Sequence, residues 1–169
     1  IGCKIKIVNT GLKTNTGGRI KKISKYLKKD TNKDFFVSYG DCISNINLKN
    51  ELKFHNKHKK LATLTAVTMP SRFGSIKIKN NKILKFVEKP IQKDNWINGG
   101  FFIFSKKCLK FFKSNQTILE NEPMKKLSRL GELMAFKHKG FWQPIDNIKD
   151  KNYVEKILKD KNKYKIILK

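Results

Sequence analysis

The chain has 169 residues, 39 of them Lys or Arg against 13 Asp or Glu, and a formal net charge of +26. That length suits a single compact domain, and 38% hydrophobic residues spread in runs along the whole chain exclude wholesale disorder. No run of about 18 apolar residues exists to form a transmembrane helix, and the opening Ile1-Gly2-Cys3-Lys4-Ile5-Lys6-Ile7 lacks the apolar core and cleavage site of a signal peptide.

Cys3, Cys42 and Cys108 are odd in number and widely spaced, which reads as reduced thiols in a cytoplasmic protein and not as a zinc site. Only Arg19, Arg72 and Arg129 of the basic residues are arginine; the rest are lysine. Recognition of bases and phosphates favours the bidentate guanidinium, so the excess reads as a solvated lysine surface, with a basic nucleic-acid-binding module as the alternative. No membrane partner is expected.

Lys4 to Val8 alternates as a strand, and Thr16-Gly17-Gly18 leads into a helix over 19–29 with Ile20, Ile23 and Leu27 on one face. Phe35 to Tyr39 is a strand closed by Gly40-Asp41, and a helix over 48–58 places Leu48, Leu52 and His55 together. Leu61 to Val67 is apolar enough for a strand buried on both faces. Residues 73–79 and 82–88 alternate about Asn80-Asn81 as a hairpin. Asn98-Gly99-Gly100 interrupts a strand ending at Phe104, Pro123 opens a helix that Gly131 caps, and a last helix covers 149–159. The pattern predicts an α/β fold with a central mixed sheet flanked by helices, in one domain over 1–169. Ile1 is not a translation start, so the chain reads as processed or as the later part of a longer protein.

Five segments carry candidate chemistry. Tyr39-Gly40-Asp41 delivers a carboxylate just after a buried strand, where open α/β sheets bind ligands; an ordinary Gly-Asp turn is the alternative. Gly140-Phe141-Trp142-Gln143-Pro144-Ile145-Asp146-Asn147 delivers another, and it too could be a surface turn. Acidic residues are scarce here, and Asp41 and Asp146 both end apolar segments, so together they suit a Mg²⁺ ion completed by substrate phosphates. Glu88-Lys89-Pro90 ends an alternating strand and would suit a sugar phosphate, or a solvated charged pair. Asn98-Gly99-Gly100 signals a bulge or a close approach of backbone to ligand. Thr14-Asn15-Thr16-Gly17-Gly18-Arg19 is a polar turn before a helix, suited to an anion or a base edge, or simply to a helix cap. No Ser-His or Cys-His nucleophile spacing is present, and His55, His58 and His138 read as surface or packing residues.

In order, Thr-Gly-Gly-Arg, Tyr-Gly-Asp, Ala-Thr-Leu-Thr-Ala, Arg-Phe-Gly, Glu-Lys-Pro, Trp-Ile-Asn-Gly-Gly-Phe-Phe, Gly-Glu-Leu-Met-Ala-Phe-Lys-His and Gly-Phe-Trp-Gln-Pro resemble the glucose-1-phosphate cytidylyltransferase family of sugar-phosphate nucleotidyltransferases. The resemblance runs from about residue 8 to 158 and implies a Rossmann-like fold. The implied reaction converts CTP and α-D-glucose 1-phosphate to CDP-glucose and pyrophosphate, for lipopolysaccharide O-antigen sugars. It further implies Asp41 and Asp146 as Mg²⁺ ligands. Thr14, Arg19 and Gly40 would be nucleotide contacts, Lys89 a catalytic phosphate contact, and Glu88, Asn98 and Gly99 glucose contacts. The family's Gly-rich arginine loop and following lysine would precede Ile1. The expectation is therefore an N-terminally incomplete domain, inactive alone, from a full-length homo-oligomer. Asn147 replaces the family's usual threonine, Lys149 its arginine, and Ser71 its glycine.

Overall fold

In the computed structural model, the described residues are 4–70, 73–88, 91–160 and 164–165, without the side chains of 70 and 91–94. Chain order is α1 (Thr16–Lys29), β1 (Asp34–Ser38), β2 (Cys42–Ser44), α2 (Leu48–His58), β3 (Ala62–Pro70), β4 (Ser75–Lys79), β5 (Lys82–Val87) and β6 (Ile91–Ser105). A 3-10 helix (Lys106–Phe111), α3 (Glu122–Arg129), β7 (Leu133–Lys137), β8 (Trp142–Pro144) and α4 (Ile148–Lys159) follow. Four strands form the central mixed sheet in the order β1-β6-β3-β7, while β2-β8 and β4-β5 are two-stranded ribbons. The α/β expectation holds.

The predicted strand at 4–8 is a correction: residues 4–10 have no regular structure, and Ile5 and Ile7 are 81% and 94% exposed. Alternation supplies the period of a strand, but a strand also requires a ladder partner, and none of the described strands pairs with this segment.

Contacts group the chain into two compact units, the first comprising Ile1–Val37, Leu52–Thr63 and Phe102–Met134, the second Ser38–Glu51, Leu64–Phe101 and Ala135–Lys169. The first unit is built around aromatic rings. Phe104 lies 5.9 Å from Phe35, 5.6 Å from Phe102 and 6.0 Å from Phe112, centroid to centroid. Phe102, Ile103, Phe104, Leu119 and Leu127 are buried there, and each fully buried side chain of this size contributes about 1.5–3 kcal/mol. Helix α1 begins at Thr16, earlier than predicted, so Gly17 and Gly18 fall within its first turn. A Cβ on Gly18 would lie 2.3 Å from the Asn115 carbonyl oxygen, so these glycines admit the 115–117 segment.

In the second unit, the β4–β5 hairpin turns through Asn80 and Asn81 at φ 48° and 61°, the paired left-handed conformations of a tight hairpin turn. Its register puts Ile76 opposite Phe86, Lys77 opposite Lys85 and Lys79 opposite Lys82. Asn147 caps α4, its side-chain oxygen accepting from the Asp150 N–H at 3.0 Å. Asparagine and threonine can both cap a helix in this way. Gly131, at φ 65°, follows the last turn of α3 as predicted.

Helix α2 buries His55, as the predicted face requires, but corrects that face at Leu48, with Glu51 buried instead. Leu48 is 48% exposed, whereas Glu51 and His55 are buried. Each buried polar group has a threonine on β3. The Thr65 hydroxyl donates to Glu51 Oε1 at 2.6 Å, and Thr63 Oγ1 lies 2.8 Å from His55 Nδ1.

Candidate functional site

The second unit holds both predicted carboxylates. Antiparallel pairing of β2 with β8 sets Cys42 opposite Pro144 and Ser44 opposite Trp142. Beyond that pairing, the Ile145 N–H donates to the Asp41 carbonyl at 2.7 Å, which carries the ladder one residue further. Asp41 and Asp146 therefore leave the same end of one ribbon, both exposed. The Asp146 N–H in turn donates to Asp150 Oδ2 at 3.2 Å, fixing the exit into α4.

The donor set fits a hard cation that keeps several waters: two exposed carboxylates on neighbouring strand ends supply oxygen only, leaving room for phosphate oxygens. Among the described residues, no three His, Cys, Asp or Glu side chains gather into an all-protein metal cage.

Gly40 precedes Asp41 in open space, with no atom within 4 Å of a Cβ built there. Tyr39, one residue earlier, grips β6: its N–H donates to the Gly100 carbonyl at 3.0 Å, and its ring lies where a Gly100 Cβ would be, at 2.7 Å. Gly100 has φ 78°, the left-handed region that glycine enters without strain. Gly99 packs as tightly, its Cβ position 2.9 Å from both the Thr65 carbonyl oxygen and Val67 Cγ1. Asn98 is exposed; its Oδ1 accepts from the Gly100 N–H at 2.8 Å, and its Nδ2 lies 3.4 Å from the Tyr39 hydroxyl. Glu88 is also exposed, with Oε2 3.1 Å from the Cβ position of Gly74. Lys89 lies outside the described residues.

Thr14 and Arg19 belong to the first unit. The Thr14 hydroxyl donates to the Thr10 carbonyl at 2.6 Å, and Arg19 donates to the Thr10 hydroxyl at 2.5 Å. Lys22, which the sequence reading passed over, reaches the same Thr10 carbonyl at 2.7 Å. It lies one turn beyond Arg19 on α1, and that spacing was the available signal. The first turn of α1 is not open to an anion at Gly18, whose N–H donates to the Thr117 carbonyl at 3.0 Å.

The nucleophile candidates are quiet. Burial, reinforced by the Asp41 charge, raises the Cys42 thiol above its usual range, and burial pushes the Cys108 thiol up to about 12. Ser44 Oγ and His138 Nε2 approach to 3.4 Å, but both face the Phe141 carbonyl, at 2.8 and 3.1 Å. A ring nitrogen that donates to a carbonyl is protonated there and has no lone pair for the serine proton.

Three comparisons bear on this arrangement. A glucose-1-phosphate cytidylyltransferase from Salmonella typhimurium strain LT2 is 41% identical over 151 residues, covering 89% of this chain and 58% of the relative. The mannose-1-phosphate guanylyltransferase catalytic subunit beta of Danio rerio is 32% identical over 155 residues, covering 89% of this chain and 43% of the relative. The crystal structure of HddC from Yersinia pseudotuberculosis superposes with a TM-score of 0.60 at 25% identity, over 83% of this chain and 60% of that one. The chain thus spans less than two thirds of the length of these proteins. The family model described as nucleotidyl transferase matches residues 1–160, and with that coverage the chain belongs to the nucleotidyl transferase family.

Proposed function

We propose that this chain is part of an enzyme that transfers the cytidylyl group of CTP to α-D-glucose 1-phosphate, giving CDP-glucose and pyrophosphate. The observation carrying the reading is the 41% identity to a cytidylyltransferase over 89% of the chain, against 32% to a guanylyltransferase over the same share.

In this reading, a phosphate oxygen of glucose 1-phosphate attacks the α-phosphorus of CTP. The new P–O bond forms as the bond to the β-phosphate oxygen breaks, and pyrophosphate carries away the displaced charge. The reaction asks for positioning and charge compensation, not for a protein nucleophile, which agrees with the unactivated thiols of Cys42 and Cys108. Asp41 and Asp146 would hold Mg²⁺, which when bound offsets negative charge on the phosphates. Thr14, Arg19 and Gly40 bind the nucleotide, with Lys22 adding a cation beside Arg19. Glu88, Asn98 and Gly99 bind glucose through its hydroxyls, and Lys89 holds the sugar phosphate. The enzyme works as a homo-oligomer in the cytoplasm, where CTP is available, and its product supplies surface polysaccharide such as O-antigen.

The test is a substrate panel on the natural gene product: CTP, UTP, dTTP, ATP and GTP, each with glucose 1-phosphate and with mannose 1-phosphate, read as pyrophosphate release and nucleotide-sugar formation. CTP with glucose 1-phosphate is expected to dominate by about a hundredfold or more. Preference for another pair overturns the assignment.

A further inference from the structure

The peptide between Gly99 and Gly100 is held from both sides. Its carbonyl oxygen accepts the indole N–H of Trp142 at 2.8 Å, and its N–H donates to the side-chain oxygen of Asn98 at 2.8 Å. The positive φ of Gly100 takes this peptide out of the regular ladder, so side chains supply partners that a neighbouring strand would otherwise provide. Glycine is needed at both positions, because a Cβ on Gly99 would meet the Thr65 carbonyl and one on Gly100 the Tyr39 ring.

From this geometry we infer that Trp142 is a positioning residue that sets the orientation of the Asn98 side-chain amide, and through it the binding of the sugar. This rests on the proposed role of Asn98 in sugar recognition. The indole N–H fixes the plane of the peptide; the peptide N–H then holds Asn98 Oδ1; and with one amide hydrogen directed to the Tyr39 hydroxyl at 3.4 Å, Asn98 presents its other NH₂ hydrogen as a donor for a sugar hydroxyl. Trp142 lies on β8, four residues before Asp146. The clamp on the sugar segment thus sits on β8, and a proposed metal ligand follows just beyond the end of that strand.

The test is a double-mutant cycle on the natural gene product using Trp142→Phe, which keeps a ring and removes the N–H, and Asn98→Ala. Trp142→Phe is expected to raise KM for the sugar phosphate roughly tenfold, with KM for CTP changed less than about twofold. In the Asn98→Ala background the same substitution should add almost nothing, since the tryptophan acts through the asparagine. Effects that multiply, or a KM for CTP that rises equally, overturn the inference.

A second measurement covers a Trp142→Phe variant that fails to fold. The natural gene product with every tryptophan except Trp142 replaced by Phe is titrated with α-D-glucose 1-phosphate, and the Trp142 emission is expected to shift as the Gly99 contact tightens. No shift under conditions of measurable turnover overturns the inference. Should the enzyme prefer another sugar 1-phosphate, the cycle and titration are run with that sugar; coupling there supports Trp142 while the glucose assignment falls.

Discussion

The Ile145 N–H and the Asp41 carbonyl oxygen lie 2.7 Å apart, one rung beyond the paired Cys42–Ser44 and Trp142–Pro144 strands. Residues about a hundred positions apart in sequence are thereby held at a single strand spacing, and Asp146 follows directly. Asp41→Asn and Asp146→Asn each keep the shape and the backbone bond but remove a proposed hard anionic ligand. Each is expected to lower kcat by about a hundredfold or more and to raise the Mg²⁺ concentration for half-maximal rate, with the thermal midpoint near wild type. A wild-type Mg²⁺ titration in either variant would remove that aspartate from the proposed metal site.

The glycines divide into crowded and open positions. Gly99→Ala and Gly100→Ala must displace the Thr65 carbonyl or the Tyr39 ring, and each is expected to cost about 1–3 kcal/mol by urea denaturation. Gly40→Ala meets no atom within 4 Å, so stability should stay within about 0.5 kcal/mol. If the nucleotide passes over Gly40 as proposed, that variant instead loses affinity for CTP, measured as KM.

Glu51 is fully buried, with Oε1 accepting from Thr65 and Oε2 without a hydrogen-bond partner. Burial raises its pKa, against the lowering effect of the Thr65 hydrogen bond. The folded protein therefore holds this proton more tightly than the unfolded chain, whose glutamate titrates near about 4.3. The resulting stabilisation is complete below that pH and is lost as pH rises through the raised value. Glu51→Gln cannot ionise, so its urea midpoint relative to wild type should climb as pH rises above about 4.3 and through the raised value. A pH-independent difference would show that Glu51 does not titrate in this manner.

The histidines lean the other way. The Lys60 N–H donates to His58 Nδ1 at 2.9 Å, which puts the neutral ring's hydrogen on Nε2, facing Thr63 Oγ1 at 2.8 Å. The Thr63 hydrogen is then directed to His55 Nδ1 at 2.8 Å, and His55 Nε2 faces Asp34 Oδ1 at 3.7 Å. Burial lowers the pKa of both rings, opposed at His55 by Asp34; at His58 the His55 and Lys60 charges add to the lowering and Glu132 opposes it. Their contribution is present above the unfolded value near about 6.5 and is lost as pH falls through the depressed values. Urea midpoints should therefore drop as pH falls below about 6.5 and through the depressed values, while Thr63→Val should cost about 1–3 kcal/mol at about pH 7.5 by breaking the relay.

How far the chain could be read before its fold was known depended on how local each signal was. The Asn80-Asn81 turn, the Gly131 cap and the buried β3 strand follow from short-range rules, and they appear where those rules put them. The strand at 4–8 failed because pairing is a long-range property that alternation cannot report. Strands β7 and β8 escaped notice because they are short and half-buried, leaving little alternation to detect. At the candidate site, the end-of-strand aspartates were legible as punctuation. The Trp142 grip on Gly99 was not, since a tryptophan in an aromatic run carries no sign of which carbonyl its N–H will find. Glu51 misled hydrophobicity altogether, as a carboxyl on the buried face of α2 depends on a threonine from another element.

The cross-strand lysine pairs of the β4–β5 hairpin bear on how the molecule behaves in a crowd. Lys77 faces Lys85 and Lys79 faces Lys82, and like charges placed directly opposite strain a two-stranded ribbon. Ile76, Ile78, Ile83 and Phe86 are exposed on the same ribbon, which would otherwise invite another copy to stack or pair. Ammonium groups crowded around that greasy surface make it self-repelling, so colloidal stability should fall as added electrolyte or a polyanion neutralises them.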